Sequence, residues 1–393
     1  MKSPSLFPAK NLVAFCLVLA FLGVSSGWGV ASEPIKVGVV LSISGWAGFM
    51  GTPIKESMST IVEDFNNRGG VQGRQVEIFF EDDQSVPTNA VVATTKLVRD
   101  EKVSVLTGPS ITDCAMAMIP IAEQEQVPFA ALGPVVNPLK KWVFNITPNE
   151  MTNAAAVLEY AVKEVGAKRI AVMHDVQNLG TMGWKSIQAE IQTHPGCSII
   201  ISEGFEASDK SMVPQMMRIK AANPDVLLVE TSGGDSAGII AKNYKQLGMK
   251  MPVVACPAVG TREFLRIGAP SIEGSDWFII VGKVMVAEKL PPDDPFRRIY
   301  DPFKKLMQKK YGESKNLTLF HYSAHDAIQV VLGALKAAGS GDRGAIRDAM
   351  ENLKYEALLG PYTCTPNEHR GVKLFNGLAT IVQNGEYVPY MKR

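Results

Sequence analysis

Several features are scarce or missing in this 393-residue chain, and each gap removes a class of function. No charge of either sign predominates. Forty Lys and Arg stand against 39 Asp and Glu, a formal net charge of +1, so no field steers the chain onto nucleic acid or anionic lipid. Basic clusters interleaved with aromatics are absent, which disfavours nucleic-acid binding. Cysteine is sparse, and no two cysteines form a C-x-x-C pair, so neither a zinc ribbon nor a thioredoxin-like site is indicated. No P-loop is present and nucleotide binding finds no support. No candidate nucleophile is marked by a recognisable motif. Repeats and low-complexity segments are missing too. Past the N-terminus no apolar run approaches the ~20 residues that span a bilayer.

The N-terminus itself is distinctive. Lys2 and Lys10 precede the apolar run Leu12 to Val24, followed by Ser25-Ser26-Gly27 and Gly29-Val30-Ala31. A basic start, a short apolar core and small residues before the cut make a secretory signal peptide over residues 1–31, cleaved after Ala31. Cys16 lies inside the apolar core behind the bulky Phe15 and is an ordinary signal residue. The mature chain is expected to be exported, soluble and periplasmic, without direct membrane insertion. Cys114, Cys197, Cys256 and Cys364 remain. Their even number permits disulfides in an oxidising compartment, though buried free thiols are the preferred reading.

The length predicts about two domains, each with its own core. Strand and helix patterns alternate along most of it. Ile35, Val37, Val39, Val40 and Leu41 form a β-branched, nearly continuous run, as expected of a parallel strand buried on both faces. A helix follows and ends at Asn66-Asn67-Arg68-Gly69-Gly70; Val71 to Phe80 then reads as a strand running into Glu81-Asp82-Asp83. Further strands are expected over 103–107, 129–132, 168–174, 198–203, 225–230 and 253–255, with helices over 112–124, 151–165, 180–192, 210–221 and 237–247. Such alternation predicts α/β architecture with parallel sheets covered by helices on both faces. Later, helices are expected over 296–311 and 319–338, then short strands over 372–375, 378–382 and 387–390. Asn384-Gly385 is a strong hairpin signal between the last two.

Three stretches, IKVGVVLSISG, FNNRGGVQGR and EDDQSVPTNAV, occur in that order and at a characteristic spacing. At these residues the chain closely resembles the branched-chain amino-acid-binding family of periplasmic solute-binding proteins (type I). The resemblance covers roughly residues 35–390 and is strongest at 35–84 and 108–128. It implies two Rossmann-like lobes joined by a hinge that the chain crosses three times, near 145–148, 276–280 and 360–362. Lobe 1 would then hold 33–146 plus 278–360, and lobe 2 would hold 147–277 plus 361–393. It also implies a monomer that closes on one small-molecule ligand and docks on the membrane permease of an ABC importer, with no cofactor.

Ligands of open α/β sheets bind at the carboxyl ends of the strands. The loops expected to line the cleft are 42–51, 108–113 and 133–136 in lobe 1, and 175–181, 231–235 and 256–260 in lobe 2. Ser110 can cap a helix or bind a carboxylate. The resemblance places Thr112 at the hydroxyl that holds the ligand carboxylate, and Gly133, Pro134 and Val135 on the second carboxylate-binding turn. Trp46 falls near the aromatic that covers the ligand side chain. Lobe 2 departs from the family pattern. Leu179 stands before Gly180 where a Tyr is common, Ser232 and Gly233 occupy a loop that usually carries another Tyr, and Pro257 aligns with the acid that meets the ligand ammonium. A buried ammonium without a carboxylate costs several kcal/mol, so an ordinary α-amino acid fits poorly unless Asp235 substitutes; a helix cap is its equal alternative. The expected ligand is a small carboxylate, either an amino acid or an aromatic or branched acid lacking the amino group.

Two constellations suggest rivals. His321 and His325 stand four apart on a predicted helix with Asp326 adjacent, yet no general-base Glu lies between them and their neighbours look like helix packing. His174-Asp175 at a strand end suggests acid–base work. An enzyme using the cleft is the less favoured alternative, and a ligand sensor of the same fold is another.

Overall fold

The computed structural model describes residues 33–133, 135, 140–176, 178–206, 208–373 and 375–390, together with Met1. The signal-peptide segment, Pro134 and Val136 therefore lie outside the described residues.

The first sheet has five strands in the order β2-β1-β3-β4-β5: β1 (Ile35–Leu41), β2 (Val76–Asp82), β3 (Val105–Gly108), β4 (Phe129–Ala131) and β5 (Val143–Asn145). All neighbours pair in parallel. Alternate faces of β1 explain its unbroken apolar run. Val37, Val39 and Leu41 pack with the helices Gly48–Asn67 and Leu319–Ala338, whereas Val40 packs with Pro87–Thr95 and Thr112–Gln124. Each face is covered, so alternation has no reason to appear.

The second sheet has seven strands in the order β14-β13-β10-β9-β8-β6-β7. Its parallel part comprises β6 (Arg169–Asp175), β7 (Ser198–Phe205), β8 (Val226–Glu230), β9 (Val253–Ala255) and β10 (Trp277–Gly282). A separate two-stranded ladder joins β11 (Lys354–Tyr355) to β12 (Tyr362–Thr363). Strands β13 (Gly377–Gln383) and β14 (Glu386–Pro389) then add antiparallel to the second sheet. Asn384 and Gly385 take φ of 52° and 73° at their connection, the positive pair that a type I′ hairpin requires.

Sheet membership moves the lobe boundaries. Trp277–Gly282 is hydrogen-bonded between β9 and β13, so residues 278–282 belong with the second lobe rather than the first. Tyr362 and Cys364 lie in the first lobe's core, and the His369 ring stacks on Phe144 at 4.1 Å. Residues 362–369 therefore stay with lobe 1, and the return to the second sheet comes later. The hinge is tied by backbone bonds between distant segments. Asn145 donates to the His369 carbonyl, Gly371 to the Asn145 carbonyl, and Lys283 to the Asn376 carbonyl.

Other differences have local causes. The expected strand from Val71 begins at Val76, because Val71 and Arg74 first close a turn on each other. No strand forms over 372–373 or at Phe375; Val372 makes a single bridge to Tyr362. The helices Pro87–Thr95 and Arg343–Asn352 and the strand β5 were not expected.

Candidate functional site

The carboxyl ends of β1, β3 and β4 are built into one wall. Asp82 braces the loop after β1: its carboxylate accepts the amides of Ile43 and Ser44 at 3.0 and 3.2 Å and the Ser44 hydroxyl at 2.6 Å. Burial alone would raise its pKa. The bonds from Ser44, Gln84 and Ile43 outweigh burial and hold the carboxyl below its ordinary value. Fully buried Asp83 accepts the Ser42 hydroxyl at 2.7 Å and the Ser85 amide at 2.8 Å. Asp82 and Asp83, at the end of β2 and just past it, thus serve as scaffolding for these loops.

Three expected residues meet on this wall. Ser110 accepts the Ser42 amide at 3.1 Å, tying the β3 loop to the β1 loop. Thr112 opens the helix Thr112–Gln124, and Gly133 lies against it so closely that a Cβ would meet the Ile111 carbonyl at 3.0 Å. Trp46 rides on the same loop with 69% of its surface exposed, so it is not core. Val135, expected on the second carboxylate-binding turn, has its side chain turned away from the wall. It is 3% exposed within the apolar cluster behind the wall, where branched hydrocarbon packs better than it would contact a polar head.

The second wall gathers Asp175, Ser232, Gly233, Gly234, Asp235, Ser236, Thr261 and Glu263 around a pocket of about 380 Å³. Asp175, at the end of β6, is fully buried and accepts the Thr231 hydroxyl at 3.1 Å and the Ser232 amide. Ser232 is exposed and Gly233 half-buried before the helix Gly234–Gln246. Asp235 sits in that helix's first turn, exposed, 3.9 Å from Arg266. It does not cap the helix, since the cap residue is Gly233. Leu179 is 43% exposed in the first turn of Asn178–Glu190. Pro257 is half-buried and starts a short 3-10 turn, joined to the Thr231 loop through Cys256, whose thiol donates to the Thr231 carbonyl at 3.5 Å. Asp175 and Thr231 lie in loops expected to line the cleft but were not singled out as ligand-binding residues, and Thr261 lies one residue beyond the third loop. An acid closing a β-branched strand, five residues before Gly180, was the available signal.

The chain matches the periplasmic binding protein family over residues 34–379. It is 24% identical over 360 residues to the Leu/Ile/Val-binding protein of Escherichia coli, covering 90% of this chain and 91% of that one. It is 22% identical to a leucine-, isoleucine-, valine-, threonine- and alanine-binding protein of Pseudomonas aeruginosa, covering 89% and 91%. A solved extracellular ligand-binding receptor from Rhodopseudomonas palustris HaA2 superposes with a TM-score of 0.67 at 27% identity, covering 91% of this chain and 99% of that one. The substrate-binding protein LivJ of Streptococcus pneumoniae, solved with isoleucine, superposes at 0.65 with 22% identity, covering 91% and 100%. The chain belongs to the type I periplasmic binding proteins of the branched-chain amino-acid family.

For this periplasmic binding protein the rival constellations resolve into packing. His321 Nδ1 serves the cap of its own helix at Thr318, and its Nε2 faces Glu56 at 3.2 Å. His325 instead bonds Asp326 at 2.9 Å, and Asp326 accepts the amides of Leu358 and Leu359, both at 2.8 Å. The two imidazoles serve different partners, and no metal-holding group of His, Cys, Asp and Glu occurs among the described residues. His174 stacks on Trp184 at 5.4 Å. One string passed over in the sequence, Gly339-Ser340-Gly341-Asp342-Arg343-Gly344, spells G-x-G-x-x-G but joins two helices rather than a strand to a helix, so it lacks the dinucleotide context. Another, Gly23-Val24-Ser25-Ser26-Gly27, spells G-x-S-x-G within the expected signal segment, outside the described residues.

The four described cysteines are free thiols, three buried and Cys197 half-buried. Burial and the neighbouring Asp83 push the Cys114 thiol up to about 12, which leaves it protonated and unreactive. Among the described residues no helix is long and apolar enough to cross a membrane.

Proposed function

We propose that this chain is the extracytoplasmic solute-binding component of an ABC importer, and that its two lobes close by hinge motion on a small carboxylate with an apolar body. Binding energy then shifts an open–closed equilibrium rather than lowering a chemical barrier. The observation that carries the reading is the division of charge between the walls. On the first wall Asp82 and Asp83 are spent on bracing, and Thr112 and Gly133 leave backbone and hydroxyl groups at the start of a 13-residue helix. Such an end suits a carboxylate. Exposed Trp46 and Leu179 supply apolar surface for the body. Pro257 stands where the family resemblance places the acid for an ammonium, which favours aromatic or branched acids lacking the amino group.

A second reading, an α-amino acid such as those named for the relatives, is favoured by Asp235. It lines the second wall and is only loosely engaged by Arg266. Calorimetry on protein stripped of bound ligand by unfolding and refolding separates the two. The panel is leucine, isoleucine and valine against 4-methylpentanoate, 4-methyl-2-oxopentanoate and phenylacetate. Tighter binding of the amine-free acids by about tenfold or more is expected. Tighter binding of leucine transfers the assignment to Asp235 and the amino acids. Binding of none of the six removes the small-carboxylate reading.

A further inference from the structure

We propose that Asp175 is a specificity-determining residue, which fixes the second wall and keeps a second anionic group off it. The inference rests on the carboxylate reading above. One carboxylate organises two helix starts. It holds the loop after β8 through the Thr231 hydroxyl and the Ser232 amide, and the Thr231 hydroxyl in turn accepts the Gly233 amide at 3.4 Å. On its other side lies Gly180, where a Cβ would stand 2.3 Å from Asp175 Oδ1 and 2.7 Å from its carbonyl oxygen. Only glycine lets the first turn of Asn178–Glu190 descend onto the carboxylate. Asp175 thus lies fully buried beneath the start of Asn178–Glu190 and is bonded to the loop that enters Gly234–Gln246.

The bracing alone does not require charge. In the first lobe the corresponding tie between the β1 and β3 loops is the neutral Ser110 hydroxyl, accepting the Ser42 amide. What the carboxylate adds is a field. Buried charge acts through a lower effective dielectric than exposed charge and is less screened by salt. Asp235 and Glu263 line the same pocket, and Arg266, 3.9 Å from Asp235, is exposed. An anionic group entering this side meets three carboxylates, whereas an apolar, hydroxyl or cationic group does not. The ligand carboxylate is thus directed to the first wall, and ligands with a carboxylate at each end are refused.

The test compares 4-methylpentanoate with adipate, a dicarboxylate of the same carbon count, on wild type and on Asp175→Asn. Wild type is expected to prefer the monocarboxylate by about a hundredfold, and Asp175→Asn to reduce that preference to about tenfold or less. Thr231→Val removes a hydrogen bond but keeps the charge, so it should weaken both ligands and leave their ratio in place. Equal binding of the two acids by wild type, or an unchanged ratio in Asp175→Asn, overturns the proposal. Hydrogen exchange over residues 230–236 supplies a readout that needs no ligand. Asp175→Asn should speed exchange of the Ser232 amide by about tenfold or more, and unchanged exchange overturns the proposal. If wild type binds neither acid, the carboxylate reading falls and the exchange result alone decides the bracing. If Asp175→Asn does not fold, the wild-type ratio and Thr231→Val decide.

Discussion

The two walls of the cleft are made by the same rule and finished differently. Both are loops at the carboxyl ends of parallel strands, and in both a side chain on one strand end holds a backbone amide of the next loop. In the first lobe that side chain is the Ser110 hydroxyl, with Asp82 and Asp83 bracing from the flank. In the second it is the carboxylate of Asp175 itself. The family resemblance read from the sequence is stronger in the loops of the first wall than in the second, where Leu179, Ser232–Asp235 and Pro257 are expected to depart from it. Under the carboxylate reading proposed above, the first wall takes the ligand head and the choice of cargo falls to the second.

The largest effect that tests this contrast is on the first wall. Asp83→Ala orphans the buried Ser42 hydroxyl and Ser85 amide and should lower stability by about 3 kcal/mol, read as a shift in the urea midpoint. A change below about 1 kcal/mol would show that the first wall is not held from the flank. Gly108 comes next. Its φ is +100° and a Cβ would stand 2.0 Å from the Val40 carbonyl oxygen, so Gly108→Ala should cost about 2 kcal/mol in the same measurement.

Trp46→Ala separates ligand contact from packing. Its exposure of 69% predicts a folding change within about 0.5 kcal/mol and ligand binding weaker by about tenfold. Leu179→Ala, on the other wall, should weaken binding by roughly half as much in free energy. An equal loss from both would make the walls equivalent for the apolar body.

The smallest expected effect is a difference in acid sensitivity. Burial holds His321 below its ordinary 6.5, opposed by Glu56. Burial would raise Glu56, yet the Lys315 and His321 bonds hold it below 4.5. Both folded values lie below the unfolded ones, so the unfolded state binds more protons and stability falls as pH falls. The His321 part is present above 6.5 and is lost below it; the Glu56 part follows below 4.5. Both groups tie Gly48–Asn67 to Leu319–Ala338 in the first lobe. Exchange corrected for intrinsic rate should therefore loosen those helices between pH 7 and 5 while β6 and β8 change little. Uniform loosening would erase the distinction.

Much of this was legible in the chain. The helices Thr112–Gln124 and Leu319–Ala338 and the strands Ile35–Leu41 and Val253–Ala255 fall at their expected limits, because apolar spacing and turn residues agree there. Pro87–Thr95 was missed because its pattern misleads: Ala90, Ala93 and Thr94 face inward while Val92 is 68% exposed. Arg343–Asn352 buries only Ile346 and Met350, too thin a stripe to stand out. The sequence already placed Thr112 at a helix start, whereas only packing shows that the Val135 side chain lies in the core.

By itself the sequence determined the architecture and the family, since buried parallel strands and glycine-ended helices are written in local composition and spacing. It also marked the loops that make the cleft. Only the tertiary structure decided which acids are scaffolding and which face the pocket, because Asp82, Asp83, Asp175 and Asp235 are alike as letters. Their roles differ through burial and through donors brought from residues tens of positions away, and neither is encoded in the neighbours of an aspartate along the chain.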